Sequence, residues 1–389
     1  MIGGRRRRRL RRGLGELRAL VFAGIDSLLL PFMRIGAGRP AAGLPSVAIF
    51  NLHGAGDLLL SLPCLGQIRR RYPADRYSLV LYCGPSAAEL AQAYAPVDHI
   101  VVVERRRLLR SLPYRWSTLG ALAARRHAVA IQPTYNRMLA VEDALVRASA
   151  APERIGSAGS PAFIGPTARR IGDRWYDRLA EVSPRPMHEL DRYAEFLQAI
   201  GLPAAANSLP LLAVADGPPA FPNGYVLFIP DSSSPLKTWP IDRFEALAHQ
   251  LADQRAETLV FASAPEANGP KRLFRRWRED RFVDLSGQTS IGEFLRLIKG
   301  ARLVITNDSA GLHLGVMLAR PVVAIAGGGL PERYHPYPAW ANANLTVVEQ
   351  RLPCYGCNWK CIYPIAPGSP AYCIAIVDVS HVLAAIGKA

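Results

Sequence analysis

The sequence predicts an α/β protein made of two parallel, doubly wound halves, and three observations carry this prediction. Short β-branched runs alternate with helical stretches from residue 47 onward. The alternation occurs in two series, which a proline-rich segment at residues 209–224 separates. At 389 residues the chain also exceeds the length at which a single hydrophobic core usually stops growing, so two domains are expected.

The predicted strands are short apolar runs bounded by turn-forming residues. In the first half they cover residues 47–52, 77–83, 100–103 and 128–132. In the second half they cover residues 225–229, 258–262, 303–306, 322–325 and 345–348, and helices are predicted at 59–71, 242–253 and 291–299. Strands that alternate with helices predict parallel sheets with helices on both faces. In such sheets, ligands bind at the carboxyl ends of the strands. Two such halves joined by a hinge suggest an enzyme with a central cleft.

The charge balance is strongly basic, with 47 Lys and Arg against 31 Asp and Glu and a net charge of +16. Residues 1–18 hold eight arginines and one glutamate and contribute +7, so the other 371 residues carry +9. This balance favours anionic partners such as nucleic acid, anionic lipid or phosphorylated small molecules. Because half of the residues are apolar and 20% are charged, the composition excludes a disordered chain and a bundle of membrane spans.

A helical periodicity follows the arginines, and its apolar stripe comprises Leu14, Leu17, Val21, Ile25, Leu28 and Phe32. The opposite face holds Glu16, Ala23, Asp26 and Ser27. Arg18 and Asp26 keep every apolar run shorter than the roughly 20 residues of a membrane span, and Asp26 also argues against a signal peptide. Two interpretations are open: a helix that lies on an anionic membrane surface, or a helix packed on its own domain behind a disordered basic leader.

Four of the six cysteines, Cys354, Cys357, Cys361 and Cys373, lie within 20 residues near the end of the chain. Four thiolates at this spacing could close a structural zinc or iron site, since soft sulfur ligands suit either metal. Four unligated thiols or two disulfides are the alternatives. The cysteines form no framework along the whole chain, so a reducing cytoplasm is expected.

Three segments combine strand ends with polar side chains. The first, at residues 51–57, has two glycines that allow a tight turn and ends in Asp57 near a helix N-terminus, where it is either a functional carboxylate or a helix cap. The second, at residues 229–240, offers Ser232, Ser233 and Lys237, which suit a diphosphate but also an exposed Ser/Pro turn.

The third segment, residues 306–313, lies between a strand and an apolar helix. A helix N-terminus presents unpaired N–H groups and partial positive charge, so it can bind an anion such as a diphosphate. Asp308 could cap this helix and orient the loop. His313 is either a donor to phosphate or an ordinary core histidine.

Taken together, these motifs resemble glycosyltransferase family 9, the bacterial ADP-heptose:lipopolysaccharide heptosyltransferases. The resemblance rests on residues 56–63, on the Ser/Lys/Trp/Pro segment followed by Arg243 and Phe244, and on residues 303–327 with His313. It spans roughly residues 45–388 and implies a GT-B fold of two Rossmann-like domains with parallel sheets that face a central cleft. The implied parts are a leader and helix at 1–40, an acceptor domain at 41–210, a nucleotide-sugar domain at 220–376 and a final helix at 377–389.

The resemblance also implies roles for single residues. Asp57 would be the general base, and Lys237 with Ser232 and Ser233 would contact the diphosphate. Glu266 would hold the ribose and Thr289 would lie beside the adenine, while the phosphate loop would comprise Asp308, Ser309, Ala310, Gly311 and His313. The family usually has glycine at the position of Ala310, so a different sugar nucleotide is left open.

The implied reaction is an inverting transfer of a heptose or similar sugar from an ADP-sugar to a hydroxyl of a lipopolysaccharide core-type glycan, without a metal in the chemistry. A cytoplasmic enzyme peripheral on the inner membrane is expected, with no nucleic-acid partner. The cysteine-rich tail is similar to that of the autotransporter heptosyltransferases, so a protein acceptor is the alternative. A nucleic-acid-binding protein with a four-cysteine metal module is a remote alternative, because it leaves Asp57, Lys237 and Asp308 without a role.

Overall fold

A computed structural model describes residues 2–35, 43–161, 163–204, 209–215, 217, 221, 223–254, 256–263 and 281–387, except for the side chains of residues 2–14, 34 and 35. The described chain forms two compact units. The first comprises Met1–His53, Ser61–Arg185 and Leu190–Ala205. The second comprises Gly54–Leu60, Pro186–Glu189 and Ala206–Ala389, so two short early segments belong to it.

The first unit contains a parallel six-stranded sheet in the order β3-β2-β1-β4-β5-β6. Its strands are β1 (Ser46–Asn51), β2 (Ser78–Cys83), β3 (His99–Val102), β4 (Val129–Gln132), β5 (Glu153–Ser157) and β6 (Arg178–Ala180). Strands β1, β2 and β4 are buried almost throughout, as expected when helices cover both faces of a parallel sheet.

Helices precede, connect and follow these strands in the first unit. They are α1 (Ile2–Ile35), α2 (Ala55–Arg71), α3 (Pro85–Tyr94), α4 (Arg105–Arg110), α5 (Leu112–Arg125), α6 (Ala144–Ala148), α7 (Pro166–Asp173) and α8 (Glu189–Ala199), with a π-helical turn at Leu139–Asp143 before α6. Helix α2 begins with residues of the second unit and continues in the first, and only the first residue of α8 belongs to the second unit.

The second unit repeats the topology with a parallel sheet in the order β12-β11-β10-β7-β8-β9. Its strands are β7 (Tyr225–Ile229), β8 (Thr258–Phe261), β9 (Phe282–Asp284), β10 (Leu303–Asn307), β11 (Val322–Ala326) and β12 (Leu345–Glu349). The helices are α9 (Ile241–Gln254), α10 (Ile291–Gly300), α11 (Ala310–Met317), α12 (Tyr372–Ala375) and α13 (Val379–Ile386), with 3₁₀ turns at Pro235–Lys237 and Ala339–Ala341.

The two sheets confirm the predicted doubly wound α/β class. Each of the nine predicted strands is present with ends within one residue of the prediction. The prediction missed β5, β6 and β9, which are short strands at or near sheet edges and carry charged residues in place of β-branched runs.

Helix α1 packs on the first unit through the face that the sequence marks as the more polar one. Asp26 is 2% exposed and forms a salt bridge with Arg115, which is itself fully buried. Phe22, Ala23 and Leu30 are buried on the same side. The apolar stripe points the other way, because Leu17, Val21, Leu28 and Phe32 are 51–72% exposed. Among the described helices, none is both long and apolar enough to cross a bilayer.

Candidate active site

The carboxyl edge of the second sheet gathers most of the predicted site residues. The strand order reverses between β10 and β7, and such a switch point is where parallel α/β sheets bind ligands. Asn307, the last residue of β10, joins the two loops that leave this point. Its side-chain nitrogen donates to the carbonyl of Pro230 at 2.5 Å, and its oxygen accepts from the backbone N–H of Trp239 at 2.9 Å.

Lys237 and Asp308 form an ion pair at this edge, with 2.8 Å between Nζ and Oδ2. The Asp308 side chain is 4% exposed and that of Lys237 is 17% exposed. Burial alone would raise the pKa of Asp308, but the charges of Lys237 and His335 and the hydrogen bond from Lys237 lower it overall. Asp308 is therefore ionised and holds the ammonium group in place.

The N-terminus of α11 is capped by Ser309 and not by Asp308. The Ser309 hydroxyl accepts from the N–H of Gly311 at 3.3 Å. Asp308 is unavailable for capping because its carboxylate faces Lys237. Gly311 is buried, and a Cβ there would lie 2.8 Å from Thr306 Oγ1 and 3.0 Å from Ile229, so this glycine lets the helix approach the strands. Ala310 precedes it and is partly exposed.

His313 lies one turn into α11 and is 2% exposed. Its Nδ1 lies 2.8 Å from the hydroxyl of Tyr337. Burial lowers the pKa of His313 to about 4, although Asp308 and Asp57 act in the opposite direction, so the ring is neutral near pH 7. Gly56 lies against this ring, because a Cβ at that position would be 2.9 Å from His313 Cδ2.

Asp57 occupies the first turn of α2, in the segment that belongs to the second unit. Its side chain is 19% exposed. The hydroxyl of Tyr334 donates to Asp57 Oδ1 at 3.0 Å, and Nη2 of Arg333 lies 3.4 Å from the same oxygen. The ring of Tyr334 also lies 5.1 Å from Nζ of Lys237. Tyr334 thus connects Asp57 with the Lys237–Asp308 pair.

The loop after β11 and its partner residue Glu189, the first residue of α8, were not predicted as parts of the site. Arg333 Nε donates to Glu189 Oε1 at 2.6 Å, and the backbone N–H of Glu189 donates to the carbonyl of Arg333 at 2.9 Å. Burial alone would lower the pKa of Arg333, because it disfavours the charged form. The carboxylates of Glu189 and Asp57 nevertheless raise this pKa overall. Three glycines at residues 327–329 directly after a strand were the available signal for this loop.

The other predicted donor residues lie at several places. Ser232 is partly exposed and accepts from the N–H of Ser234 at 3.4 Å, and Ser233 is exposed. Thr289 is 7% exposed, and its hydroxyl has no hydrogen-bond partner among the described residues. Within the same part of the chain, Oδ2 of Asp231 also lacks a partner, and burial raises the pKa of this carboxyl to about 6. Glu266 lies outside the described residues.

The cysteine-rich segment packs on the glycine loop. The N–H groups of Gly356 and Asn358 donate to the carbonyls of Gly328 and Gly329, both at 2.7 Å. The ring of Trp359 consequently lies 5.4 Å from Nζ of Lys237, on the same ammonium group as Tyr334. Sequence reasoning gave this tryptophan no role.

All six cysteines lie in the described part of the chain, and none forms a disulfide. Burial, together with the neighbouring thiols of Cys357, Cys373 and Cys354, raises the pKa of Cys361 to about 11, so these three thiols lie near Cys361. Nevertheless, the residues that the structure describes contain no group of three or more His, Cys, Asp or Glu side chains placed to hold a metal ion.

A family model identifies the family of this chain. Residues 144–362, more than half of the chain, match the model of glycosyltransferase family 9 (heptosyltransferase). The chain belongs to glycosyltransferase family 9.

Two curated family 9 relatives show how far the likeness extends. Over 101 residues the chain is 29% identical to lipopolysaccharide heptosyltransferase 2 of Escherichia coli K12, a match that covers 25% of this chain and 29% of the relative. The chain thus spans less than a third of that protein. Over 289 residues it is 23% identical to lipopolysaccharide heptosyltransferase 1 of the same strain, which covers 72% of this chain and 87% of the relative.

Solved structures agree on the fold of this family 9 chain. The ADP-heptose lps heptosyltransferase II of E. coli superimposes with a TM-score of 0.59 at 16% identity, over 89% of this chain and 98% of that one. An E. coli heptosyltransferase with ADP-2-deoxy-2-fluoro heptose gives a TM-score of 0.60 at 19% identity, over 88% and 99% of the two chains. These neighbours confirm the GT-B fold.

Proposed function

We propose that this chain is an inverting glycosyltransferase that moves a heptose or similar sugar from an ADP-sugar to a hydroxyl of a lipopolysaccharide core-type glycan. The observation that carries the proposal is the cluster around Tyr334, in which a carboxylate at residue 57 lies near the Lys237–Asp308 pair. A proton acceptor and a cation for a leaving diphosphate are the two groups that such a reaction needs.

In the proposed reaction, Asp57 removes the proton of the acceptor hydroxyl as that oxygen attacks the anomeric carbon. The bond from this carbon to the diphosphate breaks on the opposite face, and ADP leaves with the electron pair. Two donors already hold Oδ1 of Asp57, so its carboxylate is oriented before substrate binds. A transferred sugar with inverted anomeric configuration is the expected product.

Lys237 is proposed to offset the charge of the departing diphosphate. Asp308 fixes its ammonium group beside the aromatic rings of Tyr334 and Trp359, so little reorganisation is needed when charge develops. The N-terminus of α11 adds partial positive charge on the same edge. This stabilisation requires no divalent cation.

The nucleotide is proposed to lie along the carboxyl ends of β7 to β9. The buried oxygens of Thr289 and Asp231 without partners in the described chain support a polar ligand there. Glu266 is proposed to hold the ribose. Two solved neighbours in this family are complexes with ADP and with ADP-2-deoxy-2-fluoro heptose, in keeping with an ADP-sugar donor.

A transfer assay tests this function. The purified chain is incubated with ADP-, UDP- or GDP-linked heptose and with delipidated core oligosaccharide or a candidate autotransporter polypeptide. We expect sugar transfer from the ADP-linked donor to the oligosaccharide, with inverted anomeric configuration by NMR. Transfer only to the polypeptide would favour the protein-directed alternative, and retention of configuration would contradict the mechanism.

We also propose that α1 places the enzyme on the cytoplasmic face of the inner membrane, near a lipid-linked acceptor. The supporting observation is the orientation of the helix. Since the Asp26–Arg115 pair is buried, the four exposed apolar residues Leu17, Val21, Leu28 and Phe32 point away from the first unit. An apolar helix face preceded by arginines suits an anionic bilayer surface.

Point variants test this membrane contact better than truncation, because deleting residues 1–40 would remove Asp26 and leave Arg115 buried without it. We expect the double variant Leu28→Ser, Phe32→Ser to lose binding to phosphatidylglycerol vesicles. The control Leu211→Ser changes a leucine that is 65% exposed in the second unit, and it should bind as the wild type does. Unchanged binding of the double variant would overturn the proposal.

A structural zinc or iron ion at Cys354, Cys357, Cys361 and Cys373 remains a proposal as well. It is supported by three thiols that lie near Cys361 and by the absence of a disulfide among these described cysteines. The present side-chain arrangement does not fit a metal, so binding would require the thiols to draw together. Elemental analysis of the purified chain and of a Cys354→Ser, Cys357→Ser variant tests this; absence of metal from both would contradict it.

A further inference from the structure

One short segment of the second unit, Pro186–Glu189, holds the loop that carries Arg333 and Tyr334. Glu189 binds Arg333 twice, through its backbone N–H at 2.9 Å and through its carboxylate at 2.6 Å. Next to it, Nε2 of His188 lies 3.1 Å from the carbonyl of Tyr334, and the His188 ring packs on Tyr337 at 4.5 Å between centroids. The loop is therefore held from both its backbone and its side chains.

The guanidinium group of Arg333 is shared unequally between two carboxylates. Its Nε lies 2.6 Å from Glu189, whereas its Nη2 lies 3.4 Å from Asp57. The Glu189 side chain is 4% exposed and that of Asp57 is 19% exposed, so the closer carboxylate is also the more buried one. Glu189 thus makes the shorter contact with the guanidinium, and its negative charge offsets part of the positive potential that Arg333 creates at Asp57.

A full positive charge beside a carboxylate lowers both its pKa and its strength as a base. Arg333 is a charged group in direct contact with the Asp57 carboxylate. Tyr334 donates a hydrogen bond and stays protonated, because burial and the nearby carboxylates raise its pKa. His313, beside Gly56, is neutral above about pH 4, and Lys237 lies beyond the Tyr334 ring and is paired with Asp308.

We infer that Glu189 is a positioning residue that sets the base strength of Asp57 by offsetting the positive charge of Arg333. The inference rests on the proposed role of Asp57 as the general base. Without the Glu189 carboxylate, the positive charge of Arg333 is no longer offset, so the pKa of Asp57 falls. The base then becomes weaker, although no group that touches substrate has changed.

The pH dependence of kcat/KM for Glu189→Gln tests this inference, with ADP-heptose and delipidated core oligosaccharide as substrates. Glutamine keeps the shape of the side chain and an oxygen that accepts from Arg333, but it has no charge. We expect the acidic limb of the profile to shift to lower pH by about one unit. The plateau value of kcat/KM should fall several-fold. The matched control is Glu332→Gln, which removes an exposed carboxylate next to Arg333 in the chain and should leave the profile unchanged.

Two further variants separate the possible outcomes. Glu189→Asp retains the charge and should restore the wild-type limb, which a purely structural role of the side chain would not produce. If the acidic limb of Glu189→Gln does not move while Asp57→Asn is inactive, this inference is overturned and the proposed function stands. Near-normal turnover by Asp57→Asn overturns both. All rates are measured well below the melting midpoint of each variant.

Discussion

At the residue scale, the Lys237–Asp308 pair combines a structural and a proposed binding role, and substitutions can separate them. Lys237→Gln leaves Asp308 buried without its cation, so we expect a loss of about 3 kcal/mol of stability together with weaker ADP binding. The double variant Lys237→Gln, Asp308→Asn removes both charges. It should regain most of the stability but not the affinity for ADP.

Urea unfolding and calorimetric titration with ADP measure these two properties. If the double variant binds ADP as tightly as the wild type, Lys237 has only a structural role at this edge of the sheet. If Lys237→Gln is as stable as the wild type, the ion pair contributes nothing to the packing of the loops.

His127 is a second residue with a testable consequence, in the first unit. Its ring nitrogens lie 2.9 Å from Ser46 Oγ and 2.8 Å from the hydroxyl of Tyr82. Burial, with a contribution from Arg125, lowers the pKa of His127 to about 4. Below the ordinary histidine pKa of about 6.5, the unfolded chain therefore binds one more proton than the folded chain, and stability falls as the pH falls.

For that one proton the slope is roughly 1.4 kcal/mol per pH unit between about pH 6 and pH 4. We expect His127→Gln, which does not titrate, to lose less stability than the wild type over this range. Urea midpoints at several pH values measure the difference. The other buried histidines of the described chain, His188, His313 and His335, are present in both proteins and cancel. A difference that is constant with pH would contradict the assignment.

At the element scale, α1 shows how a buried ion pair decides which face of a helix packs. Asp26→Ala leaves Arg115 with no carboxylate in a fully buried position, and we expect a loss of about 3–5 kcal/mol. Leu28→Ala changes a side chain that is 72% exposed and should alter stability by less than about 0.5 kcal/mol. Thermal unfolding compares them, and the opposite order would contradict the packing described above.

The same helix shows where periodicity stops being informative. The sequence identifies the apolar and the polar face of α1. Hydrophobicity alone would favour burial of the apolar stripe, whereas the structure buries the polar face that contains Asp26. The reason is Arg115, 89 residues later, which compensates the carboxylate. By contrast, β1, β7 and β11 are apolar runs whose prediction needs no distant partner, and their positions were predicted within one residue.

Whole-molecule features explain why only part of the site was predictable. Lys237 and Asp308 each follow a strand, so topology alone brings them to one edge. Arg333 contacts Asp57 and Glu189 across 276 and 144 residues of sequence, and no local pattern announces such contacts. Charged side chains in loops are usually solvated, so single-sequence reasoning assigns them no role until the fold is known.

The central claim concerns the molecule as a whole: one carboxylate accepts the proton, and a separate set of groups holds the leaving diphosphate. The most direct test is the single-turnover rate of sugar transfer by Asp57→Asn at saturating ADP-heptose and core oligosaccharide, together with its affinity for ADP. The account predicts a rate about 10²- to 10⁴-fold below that of the wild type with unchanged ADP affinity. A rate near that of the wild type would contradict it.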